Sequence, residues 1–262
     1  MIVEYHRPAT LEEALDLLSR PDPQTHPLGG GTALNTSVSS PSGNFAVVDL
    51  QLLGLDRIQR TDAVIQVGAM VRLQSLLDEP GLPEGLYRAL AQEAARNIRQ
   101  AATVAGSLVS AGGRSTLATA LLAMDAALLI WKKEAGEYSE KELGLGDWLP
   151  FRHENFRGAI ITQVLLPAKA SLAYHYVART PADLPIVCAA AARWPSGRTR
   201  VALGGTGDSP VLVVDGPEPE GAAMAAQAAY QYAGDEWASA AYRSEIAKIL
   251  VQRCLVEGLP DG

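Results

Sequence analysis

The feature that most constrains this chain is a pair of glycine-bearing turns far apart in sequence. The first is Leu28-Gly29-Gly30-Gly31-Thr32-Ala33-Leu34-Asn35, and the second is Thr103-Val104-Ala105-Gly106-Ser107, reached through Arg96-Asn97-Ile98-Arg99-Gln100. Both set small residues and hydroxyls where backbone must come close to something. Consecutive glycines, lacking Cβ, can turn several N–H groups inward and form an anion-binding concavity. Such a run serves a tight turn as readily as a phosphate cradle. Two of them in one fold could grip a pyrophosphate from two sides. Neither carries the dinucleotide fingerprint with its acidic residue about twenty positions on, nor the lysine of a P-loop, so a doubly wound nucleotide fold is disfavoured.

The rest of the chain supplies a soluble scaffold around those turns. Its 262 residues fit one large domain or two to three small ones, and with only three Phe the core must be built from Ala, Leu and Val. The formal charge of -7 and the lack of a basic cluster argue against nucleic acid and anionic membrane as partners. Cys188 and Cys254 are the only cysteines, read as buried thiols in a reducing compartment, and cannot ligate an iron–sulfur cluster or a four-cysteine zinc site. His6, His26, His153 and His175 show no metal-ligand spacing. No charged-then-apolar leader and no membrane-length apolar run are visible, so the expected location is cytoplasmic.

Taken in order, Thr10-Leu11-Glu12-Glu13 has capping-box spacing and opens an amphipathic helix through Leu18, ended by Pro21 and Pro23. Residues 26–28 and 46–50 read as strands flanking the glycine run. Ile58 and the run 64–69 suggest strands, and Leu73, Leu76 and Leu77 a short helix. Leu86, Leu90, Ala94 and Ile98 form one helical stripe, predicting a helix over 86–98. The segment 103–107 reads as too short and too rich in small residues to be a packing element. Ser115 is an N-cap candidate for a helix through Met124. Residues 127–131 and 160–166 read as strands, with a solvated hairpin or loop over 132–142. Beyond Pro167 three strands, over 171–178, 186–194 and 199–203, precede helices over 222–233 and 241–256. The pattern predicts an α+β chain in three parts: 1–56, 57–167 and 168–262.

In this order the residues resemble the flavin-binding medium subunit of the molybdenum hydroxylases, as in carbon monoxide dehydrogenase and xanthine dehydrogenase, over nearly the whole chain. Tyr5-His6-Arg7-Pro8, the two glycine turns, the segment Arg179 to Asp183, the run Arg200 to Gly207 and Ala238 to Arg243 carry the likeness. The resemblance implies a two-lobed FAD-binding domain of the PCMH type, followed by a small antiparallel three-stranded sheet with helices. It implies FAD as cofactor, an iron–sulfur small subunit and a molybdopterin large subunit as partners, and electron relay through flavin to an acceptor. Carried over position by position, Gly29, Gly30, Gly31 and Thr32 would contact the pyrophosphate, with Leu28, Ala33 and Leu34 completing that wall. Thr103, Gly106 and Ser107 would meet it from the second lobe. Val109, Ser110, Ser115 and Thr116 would follow the ribityl and adenosine parts, and Ile161 would pack on the ring system.

Five departures from the family pattern stand out. Ala105 replaces a glycine, implying either a blocked approach or a positive φ costing about 1 kcal/mol. Thr116 replaces an aspartate that holds the adenosine side, Gly112-Gly113-Arg114 a stretch that typically carries a proline, Ala159 a glutamate and Tyr176 a lysine. Arg99 and Arg114, if they face the cleft, could offset phosphate charge, with a solvent-exposed arginine the alternative for Arg114. A flavin-free assembly or interaction protein of the same fold is the alternative function. A self-contained flavin oxidase lacks any visible acid–base constellation.

Overall fold

The computed structural model describes residues 1–34, 43–152, 158–217 and 219–257; Asn35 and His153 lie outside them. The amino-terminal lobe is built from β1 (Ile2–His6), α1 (Leu11–Ser19), β2 (Thr25–Leu28) and β3 (Phe45–Asp49). Its three strands form a parallel sheet in the order β1-β3-β2. The central strand β3 is buried at every position, as a strand covered on both faces must be. The edge strand β1 had no counterpart in the sequence reading, because Ile2, Val3 and Tyr5 are all exposed and no apolar alternation survives. The amide of Glu13 donates to Thr10 Oγ1 at 3.2 Å, as capping requires, and the Glu13 carboxylate accepts from Ala9 N. Ala14, Leu15 and Leu18 then pack on Val48, Leu50, Met70 and Ile160.

The second lobe holds β4 (Ile58–Arg60), β5 (Val64–Gly68), α2 (Leu73–Leu77), α3 (Glu84–Glu93), α4 (Arg96–Arg99), α5 (Val104–Val109) and α6 (Thr116–Ala123). It continues through β6 (Ala127–Glu134), β7 (Glu137–Gly144), α7 (Leu145–Trp148) and β8 (Ala159–Pro167). These strands make an antiparallel sheet in the order β4-β5-β8-β6-β7. The charged segment 132–142 is the β6–β7 hairpin, turned at Ala135 and Gly136 with φ of 51° and 88°. Both signs match a type I′ turn.

The helix expected over 86–98 is two helices. The chain turns extended at Ala94 (φ -160°, ψ 162°), and Ile98 ends up 41% exposed rather than on the buried stripe. Arg99 explains the break: its guanidinium donates back to the carbonyls of Ala91 and Ala94, satisfying the end of α3. The segment 103–107 is likewise corrected. It is the start of α5, capped by Thr103 Oγ1 accepting from Gly106 N at 3.2 Å.

The remaining chain forms β9 (Ser171–Val177), β10 (Val187–Arg193), β11 (Thr199–Gly204), β12 (Val211–Gly216), α8 (Ala222–Ala229) and α9 (Ala240–Glu257). The sheet is antiparallel but four-stranded, β12-β11-β10-β9, not three-stranded. The added strand β12 is a half-exposed edge between Pro210 and Pro217, where neighbouring turn residues hide it in sequence. Strand β10 reads Val-Cys-Ala-Ala-Ala-Ala-Arg, poor strand material by propensity. Packing overrides that. Cys188, Ala190 and Ala192 join the core of the second lobe beneath α6, with α3 on the neighbouring β9, while Val187, Ala189 and Ala191 face α9 in a cluster shared with α8. Only small side chains let helices close on both faces at once.

Candidate functional site

The glycine run and the start of α5 face one another across the boundary between the first two lobes, and they touch. A Cβ built on Gly30 would lie 1.9 Å from the Ala101 carbonyl oxygen, and one on Gly29 would lie 2.8 Å from Thr103 Oγ1. Those two glycines are therefore required by the close approach of the lobes. Gly31 has φ of 71°, the left-handed region, which turns the chain at the cavity's edge. Beside this contact opens a cavity of about 760 Å³, within the range of small-molecule sites.

The two turns contribute differently. Among the described residues, the N–H groups of Gly30, Gly31 and Thr32 donate to no protein acceptor, although all three residues line the cavity. In α5 the first N–H groups are taken: Val104 N by Val71 O, Ala105 N by Ala69 O, Gly106 N by the Thr103 hydroxyl. What the second turn offers is the Thr103 hydroxyl proton, the exposed Gly106 backbone and the side chain of Val109. Ala105 is helical and carries no positive φ, so its methyl is an unstrained part of the wall.

Among the described residues three basic side chains line the cavity. Arg20 is neutralised, donating to Glu4 Oε2 at 2.6 Å and to Thr25 Oγ1 at 2.8 Å; Arg20 and His6 hold the Glu4 carboxyl below its ordinary value. His26, stacked edge-on against Phe45 at 5.6 Å, is pushed down by burial and so stays neutral, with its Nε2 buried and unbonded. Arg152 is only 4% exposed and makes no ion pair among the described residues. No motif marks Arg152, and sequence reasoning missed it together with His26 and Met70.

Of the residues singled out from sequence, Gly29, Gly30, Gly31, Thr32, Ala33, Leu34, Thr103, Gly106, Val109, Ser110 and Ile161 share this one cavity. Leu28 instead ends β2, its carbonyl bound by Leu50 N, and Ser107 sits one position beyond the wall. Ser115 and Thr116 are buried elsewhere. Their hydroxyls donate to the Glu93 carboxylate at 2.9 and 2.8 Å, and Leu117 N donates to it as well at 2.8 Å. Thr116 also bonds the Ala89 carbonyl. Glu93 thus engages both hydroxyls and the Leu117 N–H at the amino end of α6. Arg99 and Arg114 do not face the cleft either. Arg114 donates to the carbonyls of Leu184 and Pro185 and lies 4.6 Å from the Trp237 ring centre, with Arg179 on the same ring at 4.3 Å.

A two-lobed α+β chain with a ligand-sized cavity between paired glycine turns defines a class. Residues 1–169 match the family described as the FAD binding domain in molybdopterin dehydrogenase, and the chain belongs to that family. It is 28% identical over 216 residues to the uncharacterized protein YgfM of Escherichia coli K12, covering 82% of this chain and 79% of that one. It is 25% identical to the nicotine 6-hydroxylase medium subunit of Paenarthrobacter nicotinovorans, covering 97% and 96%. Among solved structures it resembles a chain of the reconstituted CO dehydrogenase from Oligotropha carboxidovorans, with a TM-score of 0.82 over 97% of this chain and 96% of that one at 21% identity. No helix among the described residues is long and apolar enough to cross a membrane, and no cluster of three metal-ligating side chains is present among them.

Proposed function

We propose that this chain binds FAD in the interlobe cavity and serves as the flavin-carrying medium subunit of a molybdenum-hydroxylase-type dehydrogenase. The observation that carries the reading is the row of unengaged N–H groups at Gly30, Gly31 and Thr32, set beside the Thr103 hydroxyl in a cavity of suitable size. These groups suit a diphosphate, with Ala33 and Leu34 closing the wall. Val109 and Ile161 offer apolar surface to the ring system, Gly106 and Ser110 line the same wall, and Ser107 adjoins it. No side chain in the set is placed as a general acid or base. When bound, the flavin supplies the redox chemistry, and this chain supplies position and electrostatics. Electrons would come from the iron–sulfur clusters of a small subunit, beside a molybdopterin large subunit, and leave to an acceptor such as NAD or a quinone.

The decisive experiment is the absorption spectrum of the purified protein with and without added FAD. Flavin bands in a stoichiometric complex are expected. Colourless protein with negligible affinity for FAD would refute the reading. That outcome favours a second one, a flavin-free assembly or interaction protein, which draws on the contact duty of Gly29 and Gly30 and the internal use of Ser115 and Thr116.

A further inference from the structure

Arg152 is a buried cation that makes no ion pair among the described residues, the Asp208 carboxylate being the one opposite charge that acts on it. Its Nη1 donates to the Leu149 carbonyl at 2.7 Å and its Nη2 to that of Asp208, so two neutral acceptors hold the guanidinium in place. Its Nε–H is buried and donates to nothing. A guanidinium carries five N–H donors, and burying one without a full set of acceptors is unfavourable unless something else completes it. The group lines the cavity, so a ligand can complete it.

Its place along the cavity narrows which part of a ligand that is. The glycine run abuts Ala101 and Thr103, at the amino end of α5. Arg152 is tied to Asp208, which follows Gly207, and the Gly207 carbonyl accepts from Gly113 N, just beyond the carboxyl end of α5. The six residues of α5 separate the two ends by about 9 Å at 1.5 Å per residue. A diphosphate on the glycine run would then lie at the amino end of α5, whereas a ring system joined to it through the ribityl chain would extend toward the end that holds Arg152. Val109, Ala159, Ile160 and Ile161 line the same cavity with apolar surface.

Resting on the FAD reading above, we propose that Arg152 is the cationic partner of the flavin's pyrimidine edge, holding the negative charge that reduction leaves there and so raising the flavin's potential. In that reduction the ring accepts two electrons, from an iron–sulfur donor in a complex or from dithionite in a cuvette, and one proton at N5. The negative charge left on the pyrimidine edge would then be held by the Nε–H of Arg152. Of the other ionisable groups at the cavity, Arg20 is paired with Glu4 and burial disfavours the charged form of His26, while Asp208 accepts from Arg152 through its backbone and its carboxylate offsets part of the guanidinium charge. No second cation competes for the role among the described residues.

The test uses the full chain loaded with FAD as wild type, R152Q and R152K. Spectroelectrochemical titration with dithionite as reductant gives the midpoint potential, and fluorescence titration gives the affinity for oxidised FAD and for riboflavin. R152Q is expected to weaken binding of reduced relative to oxidised FAD about tenfold, lowering a two-electron potential by about 30 mV, with R152K recovering most of it. An unmoved potential in R152Q overturns the proposal, including the case where oxidised and reduced FAD both bind less tightly by the same factor while riboflavin is unaffected, which would assign Arg152 to the diphosphate. Should R152Q fail to fold, the wild type decides. Its bound reduced flavin is expected to stay anionic at a pH where free reduced FAD is protonated, and protonation at the same pH as the free molecule overturns the idea. Absence of FAD binding by the wild type refutes the function itself rather than the role of Arg152.

Discussion

Substituting Gly30 by alanine separates the two duties a glycine loop can have, packing and ligand approach. The added methyl would sit 1.9 Å from the Ala101 oxygen, 2.6 Å from its carbonyl carbon and 3.0 Å from Ala102 Cα, all backbone. A carbon–oxygen contact relaxes at about 3.3 Å, so the lobes must part locally by about 1.4 Å. No side chain can rotate out of the way. Overpacking of this kind costs about 1–3 kcal/mol, and three backbone clashes place Gly30→Ala at about 2–3. For a chain of this size that is a melting temperature lower by roughly 4–12 °C. Gly29→Ala serves as the internal control, because its methyl meets the Thr103 hydroxyl at 2.8 Å and the loss is about 1 kcal/mol, that of a helix cap. Calorimetry or denaturant titration of the flavin-free protein measures both. A Gly30→Ala variant as stable as wild type without FAD, yet unable to bind it, would show that the glycine exists for the ligand and not for the lobe contact.

Three further outcomes follow from the same geometry. Glu93→Gln replaces the carboxylate that accepts from Ser115, Thr116 and Leu117 N, and should cost about 1–2 kcal/mol by denaturant titration while leaving FAD affinity unchanged. Asp235 is the partner of the fully buried Arg243; burial works against its ionisation, but the Arg243 guanidinium and the N–H groups of Trp237 and Ala238 together hold its pKa below the usual value. A depressed carboxylate stabilises the fold above its unfolded pKa of about 4 and loses that contribution as pH falls through the lower folded value. Asp235→Ala should therefore cost about 3–5 kcal/mol at neutral pH and flatten the acid limb of a stability curve, which unfolding midpoints from pH 7 down to pH 2 would reveal. Burial pushes the Cys188 thiol up to about 11 and that of Cys254 up to about 12, so neither should react with a disulfide reagent at pH 8 until the protein is unfolded.

The elements legible in the sequence are those whose local signal and tertiary fate agree. Thr10 and Ser115 are side-chain caps in both readings, and β3 is a continuous apolar run that ends up covered on both faces. The failures have a common cause in long-range contact. The stripe Leu86, Leu90, Ala94 and Ile98 is helically spaced, yet nothing local reveals that Arg99 will fold back onto the Ala91 and Ala94 carbonyls and make a break there tolerable. Strand β1 shows no alternation because an edge strand of this sheet leaves most of its side chains in water. In the candidate site the glycine run was visible as backbone chemistry. The role of Ser115 and Thr116 was not, because it depends on Glu93, more than twenty residues away, being carried to the start of α6 by α3. Arg152 was invisible for the same reason, since its burial depends on the carbonyl of Asp208 in another sheet's loop.

The unequal provision of the two turns has an energetic consequence for how a diphosphate could be held. With the leading N–H groups of α5 already bonded within the second lobe, charge-directed donors come mainly from the first lobe, at Gly30, Gly31 and Thr32. Those donors are positioned only while Gly30 rests on Ala101, so the quality of the anion site depends on a contact between lobes that contains no anion. Binding and interlobe packing must then be thermodynamically linked: whatever loosens the Gly30–Ala101 contact weakens the ligand's grip, and by reciprocity the ligand tightens that contact. Added FAD should accordingly stabilise the Gly30→Ala protein by less than it stabilises wild type at the same free concentration, because the stabilisation is RT ln(1 + [L]/Kd) and Kd has risen. Equal stabilisation of the two proteins would mean that the glycine run's donors act independently of the lobe contact.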